Sequence, residues 1–340
     1  MHVFTTRMPI GVVAAVVPWN AQMFLSATKL GPALAAGCSV ILKASEIAPI
    51  PMLEFAKLID QAGLPDGVVS VITGDAENCS IPLTSHPHVD RIAFTGGPET
   101  ARNVVRNSAE NFAVTTLELG GKSPILVFED ADLDSAANGL IAANFGASGQ
   151  SCVAGSRGLI QRSILPDLIA RIKEKAQGIF VGDPMDGTTH VGPLCTHTQI
   201  NRIVETLGKA QLQGAIVHFG GSPVKRAGNY MEPTLVECKS EDTETLHVEM
   251  FGPVMSLIPF DTEEEAINMA NYSLFGLGSG VFTQNIARAH RVSDRIRSGI
   301  CWVNTYRAIS PIAPFGGFNQ SGYGREAGQE AILAVSYTHL

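Results

Sequence analysis

The sequence predicts an α/β protein with a largely parallel, doubly wound sheet. Two observations carry that expectation. Short β-rich runs alternate with longer stretches of helical apolar spacing. Glycine and proline, 34 and 19 residues, punctuate those runs without a repeat period or low complexity. At 340 residues and 45% hydrophobic content, the chain is long enough for two domains with their own cores.

The elements follow in order. Ile10–Val17 is an apolar strand that ends in Pro18. Phe24–Ala36 reads as a small-residue helix interrupted at Gly31-Pro32. Ser39–Lys43 is a strand, Met52–Gln61 a helix stopped by Gly63, and Val68–Ile72 and Val89–Phe94 two further strands. Proline at the first helical position opens Pro98–Ser108. Strands Val114–Leu119 and Ile125–Phe128 flank Gly120-Gly121, so a domain boundary is expected near Leu119–Lys122. Beyond it, helices are expected at Asp132–Phe145, Pro166–Gln177 and Gln199–Gln213. Strands are expected at Gly158–Gln161, Ala215–Phe219, Val254–Phe260, Ser279–Phe282 and Gly299–Val303.

Composition removes several function classes. The net charge is −8 and no Lys/Arg-rich run appears, so a nucleic-acid partner is not expected. No apolar run approaches the roughly 18–20 residues of a membrane span. The six cysteines are scattered without a CxxC pair, which fits a reducing cytoplasm better than a zinc ribbon or a disulfide scaffold. His86 and His88 lack supporting ligands, so no metal is expected.

Four places could carry chemistry. The Thr95-Gly96-Gly97 turn follows a strand and opens a helix, whose free N–H groups suit an anion; an ordinary strand-to-helix corner reads the same way. Cys152 lies among small and polar neighbours, Gln150-Ser151-Cys152-Val153-Ala154-Gly155, which leaves a nucleophile accessible. Cys38, Cys195, Cys238 and Cys301 are read as buried small hydrophobes, and Cys79 as a surface or half-buried residue. Glu118 ends an apolar strand, where desolvation would raise its pKa toward that of a general base; a salt-bridged strand-end glutamate is the plainer reading. Asn20, in Pro18-Trp19-Asn20, would sit at the carboxyl edge of the sheet as an oxyanion donor, or simply in a turn. Two look-alikes fail: Thr116 occupies the upstream glycine position that a Walker loop at Gly121-Lys122-Ser123 needs, and Val281 the third glycine position of a dinucleotide fingerprint at Gly276–Gly280.

The order of these signals is specific. Pro18-Trp19-Asn20, Lys43-Ala44-Ser45-Glu46, Phe94-Thr95-Gly96, Leu117–Lys122, Gly149-Gln150-Ser151-Cys152, Glu249–Pro253 and Pro314-Phe315-Gly316-Gly317 resemble the motif series of the NAD(P)-dependent aldehyde dehydrogenase superfamily, from about Arg7 to about Gly328. The resemblance implies two doubly wound Rossmann-like domains, incomplete at the N-terminus. Residues 1–8 would be a remnant of an oligomerisation arm, 9–119 part of the cofactor-binding domain, 120–318 the catalytic domain and 319–340 a C-terminal segment. It implies Cys152 as nucleophile, Asn20 with the Cys152 N–H as oxyanion hole, and Glu118 as the base that releases the acid. It places Lys43 and Glu46 on the adenosine ribose, Trp19 and Thr95, Gly96 and Gly97 on the pyrophosphate, and Glu249 and Phe251 at the nicotinamide end. A carboxylate at Glu46 favours NAD over NADP, with NADP still possible.

Departures are Gly97 where relatives often carry serine, Ala44 where proline is frequent, and Ser151 and Val153 beside the nucleophile. The alternatives are an acylating, coenzyme A-dependent relative, which tends to lack the base, and an inactive or structural homologue. The full-length protein is expected to be a homo-oligomer. Residues 335–340 read like a translated sequencing-adapter end, so they are expected to be non-native and without structural meaning. The chain by itself is expected to be poorly soluble and nearly inactive. Met23, Phe24 and Leu25 after Asn20, with small Gly146 and Ala147, hint at an apolar tunnel for aromatic or medium-chain aldehydes; plain helix packing explains them equally.

Overall fold

In the computed structural model, which describes residues 1–339, the chain divides into two units: Met1–Leu119 with Ile309–Leu340, and Gly120–Ala308. The second unit closes at Ala308 rather than at Phe318. Residues 309–318 join the first unit, where Phe315 and Glu326 exchange backbone hydrogen bonds of 2.7 and 2.8 Å.

The first unit runs β1 (Thr6–Pro9), β2 (Val12–Val16), α1 (Gln22–Ala35), β3 (Ser39–Lys43), α2 (Ile50–Gln61), β4 (Val69–Ile72), β5 (Arg91–Thr95), α3 (Pro98–Ser108) and β6 (Val114–Glu118). Five strands are parallel in the order β6-β5-β2-β3-β4, and the two-residue strand Gly322–Tyr323 pairs antiparallel on β6. Helices cover both faces, so β2 reads VVAAV without polar alternation. Val13 and Ala15 join the cluster with Leu42 and Met52, while Ala14 and Val16 join the one with Ile92 and Phe94. Complete burial of Leu42 and Ile92 contributes about 1.5–3 kcal/mol each.

Helix α1 is continuous through Gly31-Pro32, against expectation. Pro32 lacks an N–H, yet Ala36 N–H still bonds its carbonyl at 3.0 Å. Leu25, Ser26 and Lys29 before it, and Ala33 after it, are all buried, so both halves are anchored and the local penalty is overridden.

The second unit runs β7 (Pro124–Val127), α4 (Leu133–Phe145), β8 (Arg157–Gln161), α5 (Leu165–Ala176), α6 (His197–Leu212), β9 (Ile216–Phe219), β10 (Thr234–Glu237), β11 (Val254–Phe260), α7 (Glu263–Asn271), β12 (Gly278–Phe282), α8 (Ile286–Ser293) and β13 (Ile300–Val303). The sheet order is β13-β12-β7-β8-β11-β10-β9, parallel except for β9. Of these elements, β10, α7 and α8 are absent from the sequence reading. A Thr262/Glu265 capping box starts α7. Its far end is closed by buried Arg157, whose guanidinium donates to the Ala270 and Met269 carbonyls at 2.8 and 3.2 Å.

Ser336–His339 pairs antiparallel with β1, Met8 opposite Tyr337, although this tail was expected to carry no structure. Val335 draws it in, buried beside Ile10 with its carbonyl accepting the Ile10 N–H at 3.1 Å. Leu340 lies outside the described residues. Among the described residues no helix is long and apolar enough to cross a membrane.

Candidate active site

In the first unit the candidate residues gather by topology. Strands β3 and β4 lie on one side of β2, and β5 and β6 on the other, so the winding reverses between β2 and β5. In open α/β sheets ligands sit at that reversal, outside the carboxyl ends of the strands. There Trp19 and Asn20 follow β2, Lys43 ends β3 with Glu46 after it, Thr95-Gly96-Gly97 ends β5, and Glu118 ends β6. The Gln22 side chain ties the Trp19 turn to the loop after β3, donating to Trp19 O at 3.0 Å and Ala48 O at 2.8 Å.

Helix α3 opens at Pro98 with Gly97 as its N-cap, and no side chain caps it. The first-turn N–H groups are therefore open to an anion. Lys43, buried along its stem, reaches Glu46 at 2.8 Å. Burial pushes the Glu46 carboxyl up, but the Lys43 hydrogen bond, a bond from its own backbone and the Lys43 charge together outweigh it, and the net shift is downward. Glu46 is thus an ionised acceptor at the sheet edge. These groups fit a dinucleotide: an open helix terminus for the pyrophosphate and a carboxylate for a ribose.

Glu118 is 4% exposed, and neither carboxylate oxygen has a hydrogen-bond partner. Burial raises its pKa well above the ordinary value, and the Glu326 charge adds to this, against Lys29 and Arg325. The plain salt-bridged glutamate is excluded. Sequence reading missed the pair beside it: buried Lys29 donates to Thr95 Oγ1 at 2.7 Å and to the Glu326 carboxylate. A lone lysine on a small-residue helix was the available hint, and Glu326 carried none. Leu25, expected to line a channel, instead packs in the core with Leu42; Met23 and Phe24 are exposed.

In the second unit Cys152 follows α4 through a contorted stretch. Ala147, Ser148 and Gly149 are all left-handed, with φ of 54°, 55° and 71°. The two that are not glycine, Ala147 and Ser148, cost about 1–3 kcal/mol each unless the surroundings hold them. Ser148 Oγ accepts the Gly192 N–H at 3.0 Å, and Gln150 Oε1 accepts the Cys195 N–H at 2.8 Å. A Cβ on Gly149 would overlap the Gly252 backbone. Gly149→Ala is therefore expected to destabilise the protein by about 2–4 kcal/mol, read as a lower urea midpoint. An unchanged midpoint would contradict this packing.

Gly120 and Gly121 have a steric reason. A Cβ on Gly120 would overlap the Glu249 carboxylate, and one on Gly121 would lie 2.5 Å from the Cys152 carbonyl oxygen. The Gly121 N–H donates to Glu249 at 3.0 Å. Burial pushes Glu249 up to about 7. Phe251, two residues on, is left-handed at φ 48°. The second unit thus brings Cys152, Glu249 and the Gly120-Gly121 turn together.

Cys152 is half-buried. Cys38 and Cys238 are buried as expected, but Cys195 and Cys301 are only partly so: Cys195 lies in the loop before α6, and Cys301 in β13, the edge strand of its sheet. Burial pushes the thiols of Cys79, Cys195, Cys238 and Cys301 up, which keeps them protonated.

Residues 1–339 match the aldehyde dehydrogenase family. A similar relative is (Z)-2-((N-methylformamido)methylene)-5-hydroxybutyrolactone dehydrogenase of Acinetobacter baylyi, 56% identical over 339 residues, which cover 99% of this chain and 70% of the relative. Betaine aldehyde dehydrogenase of Vibrio vulnificus is 40% identical, over 98% of this chain and 70% of its own. Among solved structures, PnpE in complex with nicotinamide adenine dinucleotide superposes with a TM-score of 0.96 at 42% identity, over 98% of this chain and 69% of that one. The chain belongs to the aldehyde dehydrogenase family. It is an NAD-dependent oxidoreductase that oxidises an aldehyde.

Proposed function

We propose that the chain oxidises its aldehyde to a free carboxylic acid through a covalent intermediate on Cys152. The thiolate attacks the carbonyl carbon, and the oxyanion is held by the Asn20 amide and the Cys152 N–H. Each such donor is worth about 3–4 kcal/mol in comparable sites. NAD, held there, would supply the hydride acceptor. Lys43 and Glu46 would hold its adenosine ribose, Trp19 and Thr95–Gly97 its pyrophosphate, and Glu249 and Phe251 its nicotinamide end. Ionised Glu46 suits a ribose hydroxyl and repels a 2′-phosphate, which favours NAD over NADP. Glu118 then takes a proton from water, and the hydroxide cleaves the thioester.

The observation that carries the hydrolytic reading is the buried Glu118 carboxylate, free on both oxygens and raised in pKa. A carboxyl raised by burial is the kind of base that hydrolysis needs, and transfer to coenzyme A needs none there. The test is product analysis of the full-length protein with aldehyde and NAD, with and without coenzyme A. Free acid at a rate unaffected by coenzyme A is expected; acyl-coenzyme A would overturn the reading.

For substrate, exposed Met23 and Phe24 beside Asn20 favour an uncharged aromatic or medium-chain aldehyde. A rate panel that includes betaine aldehyde checks this, and a preference for small charged aldehydes reverses it. Six scattered cysteines without a CxxC pair support a reducing, cytoplasmic setting. Exposed apolar side chains such as Ile50 and Leu58 on α2 support a homo-oligomer.

A further inference from the structure

We infer that Tyr306 is a positioning residue for the nucleophile, gripping its segment through a hydrogen bond from the phenol to the Val153 carbonyl. The inference rests on Cys152 being the nucleophile. The Tyr306 hydroxyl donates to Val153 O at 3.0 Å, one residue past Cys152. Its ring lies against β12 where that strand has no side chains. A Cβ on Gly280 would stand 2.9 Å from the Tyr306 ring, and one on Gly278 3.6 Å from its oxygen. Trp302 packs on the ring at a centroid distance of 4.5 Å, and its indole N–H closes the loop by donating to Ala308 O at 2.7 Å.

That loop is costly to form. Asn304 and Arg307, on either side of Tyr306, are left-handed at φ 53° and 64°. The Asn304 side chain pins it to the end of β12, accepting from Thr283 N at 3.0 Å and donating to Thr283 O at 2.9 Å. Burial pushes the phenol pKa up, so it remains a donor throughout the working pH range.

The nucleophile turn is held on two sides. The Ala154 N–H bonds Ser151 O at 3.0 Å, and the Cys152 carbonyl lies against Gly121. The Tyr306 bond fixes the next carbonyl along. Without it the Val153–Ala154 peptide can rotate, and the turn that aims the sulfur and the Cys152 N–H loosens. A misplacement near 1 Å costs about 100-fold in rate.

The test compares Tyr306→Phe, Tyr306→Ala and Cys152→Ala in the full-length protein. Phe keeps the ring in its slot and removes only the hydroxyl. Tyr306→Phe is expected to slow the first-turnover NADH burst by about 10- to 100-fold, with the KM for NAD and the melting temperature near wild type. A burst within twofold of wild type, with only Tyr306→Ala impaired, would show that the ring merely packs and would overturn the inference. Retained oxidation in Cys152→Ala would instead remove the nucleophile reading itself, and this inference with it.

Discussion

Cys152→Ala is expected to leave a folded protein that binds NAD and oxidises no aldehyde. Removing a covalent nucleophile costs at least about 10⁴-fold in kcat in enzymes of comparable chemistry, or about 5 kcal/mol of barrier. Cys152 is half-buried and the turn is held by Ser148, Gln150 and Gly121, none of which the substitution touches. Stability is therefore expected to change by less than about 1 kcal/mol. NADH absorbance reads the activity, nucleotide fluorescence reads the binding, and a melting curve reads the fold.

The other thiols supply the control. Cys195→Ala and Cys301→Ala are expected to retain wild-type turnover, because burial keeps both protonated and neither adjoins the Gly120-Gly121 turn. A Cys152→Ala protein with more than a tenth of wild-type turnover would move the chemistry to another group.

What the sequence disclosed depended on the range of the interaction. β2 was legible because burial on both faces writes a continuous apolar run. Pro98 marked the start of α3 because proline suits that position. The Thr262/Glu265 capping box marks α7 just as locally, and it was overlooked. Pro32 misled because the penalty is local while the anchoring burial of α1 is tertiary. Lys29 and Glu326 lie 297 positions apart, and Tyr306 and Val153 lie 153 apart. Only the fold creates those pairs. Cys152, Glu118 and Asn20 were each ambiguous by residue chemistry and became specific through the order of seven motifs. The reason Gly120 and Gly121 carry no side chain appeared only with the atoms they admit.

Glu118→Gln is expected to separate the two halves of the reaction. The variant keeps the shape of the side chain and removes the proton acceptor. Attack by Cys152 and loss of hydride do not use that carboxylate, so the first turnover should release about one NADH per site. Hydrolysis does use it, so the steady state should fall by about 100- to 10,000-fold, the usual contribution of a general base. In the wild type the hydrolytic rate should rise with pH as Glu118 loses its proton, and that rise should begin well above the ordinary carboxylate range. The variant should lose that limb. Stability carries the opposite sign. A carboxyl whose pKa is higher in the folded state holds its proton more tightly there, so its contribution is lost as pH climbs from the unfolded value through the folded one. The wild type should therefore weaken relative to Glu118→Gln over that same interval, in a series of melting curves. Because the Glu326 charge also raises the Glu118 pKa, Glu326→Gln should move the activity limb to lower pH. A limb that persists unchanged in Glu118→Gln would assign the rate-limiting proton to a different group, and an unaltered steady state would return the acyl-transfer alternative.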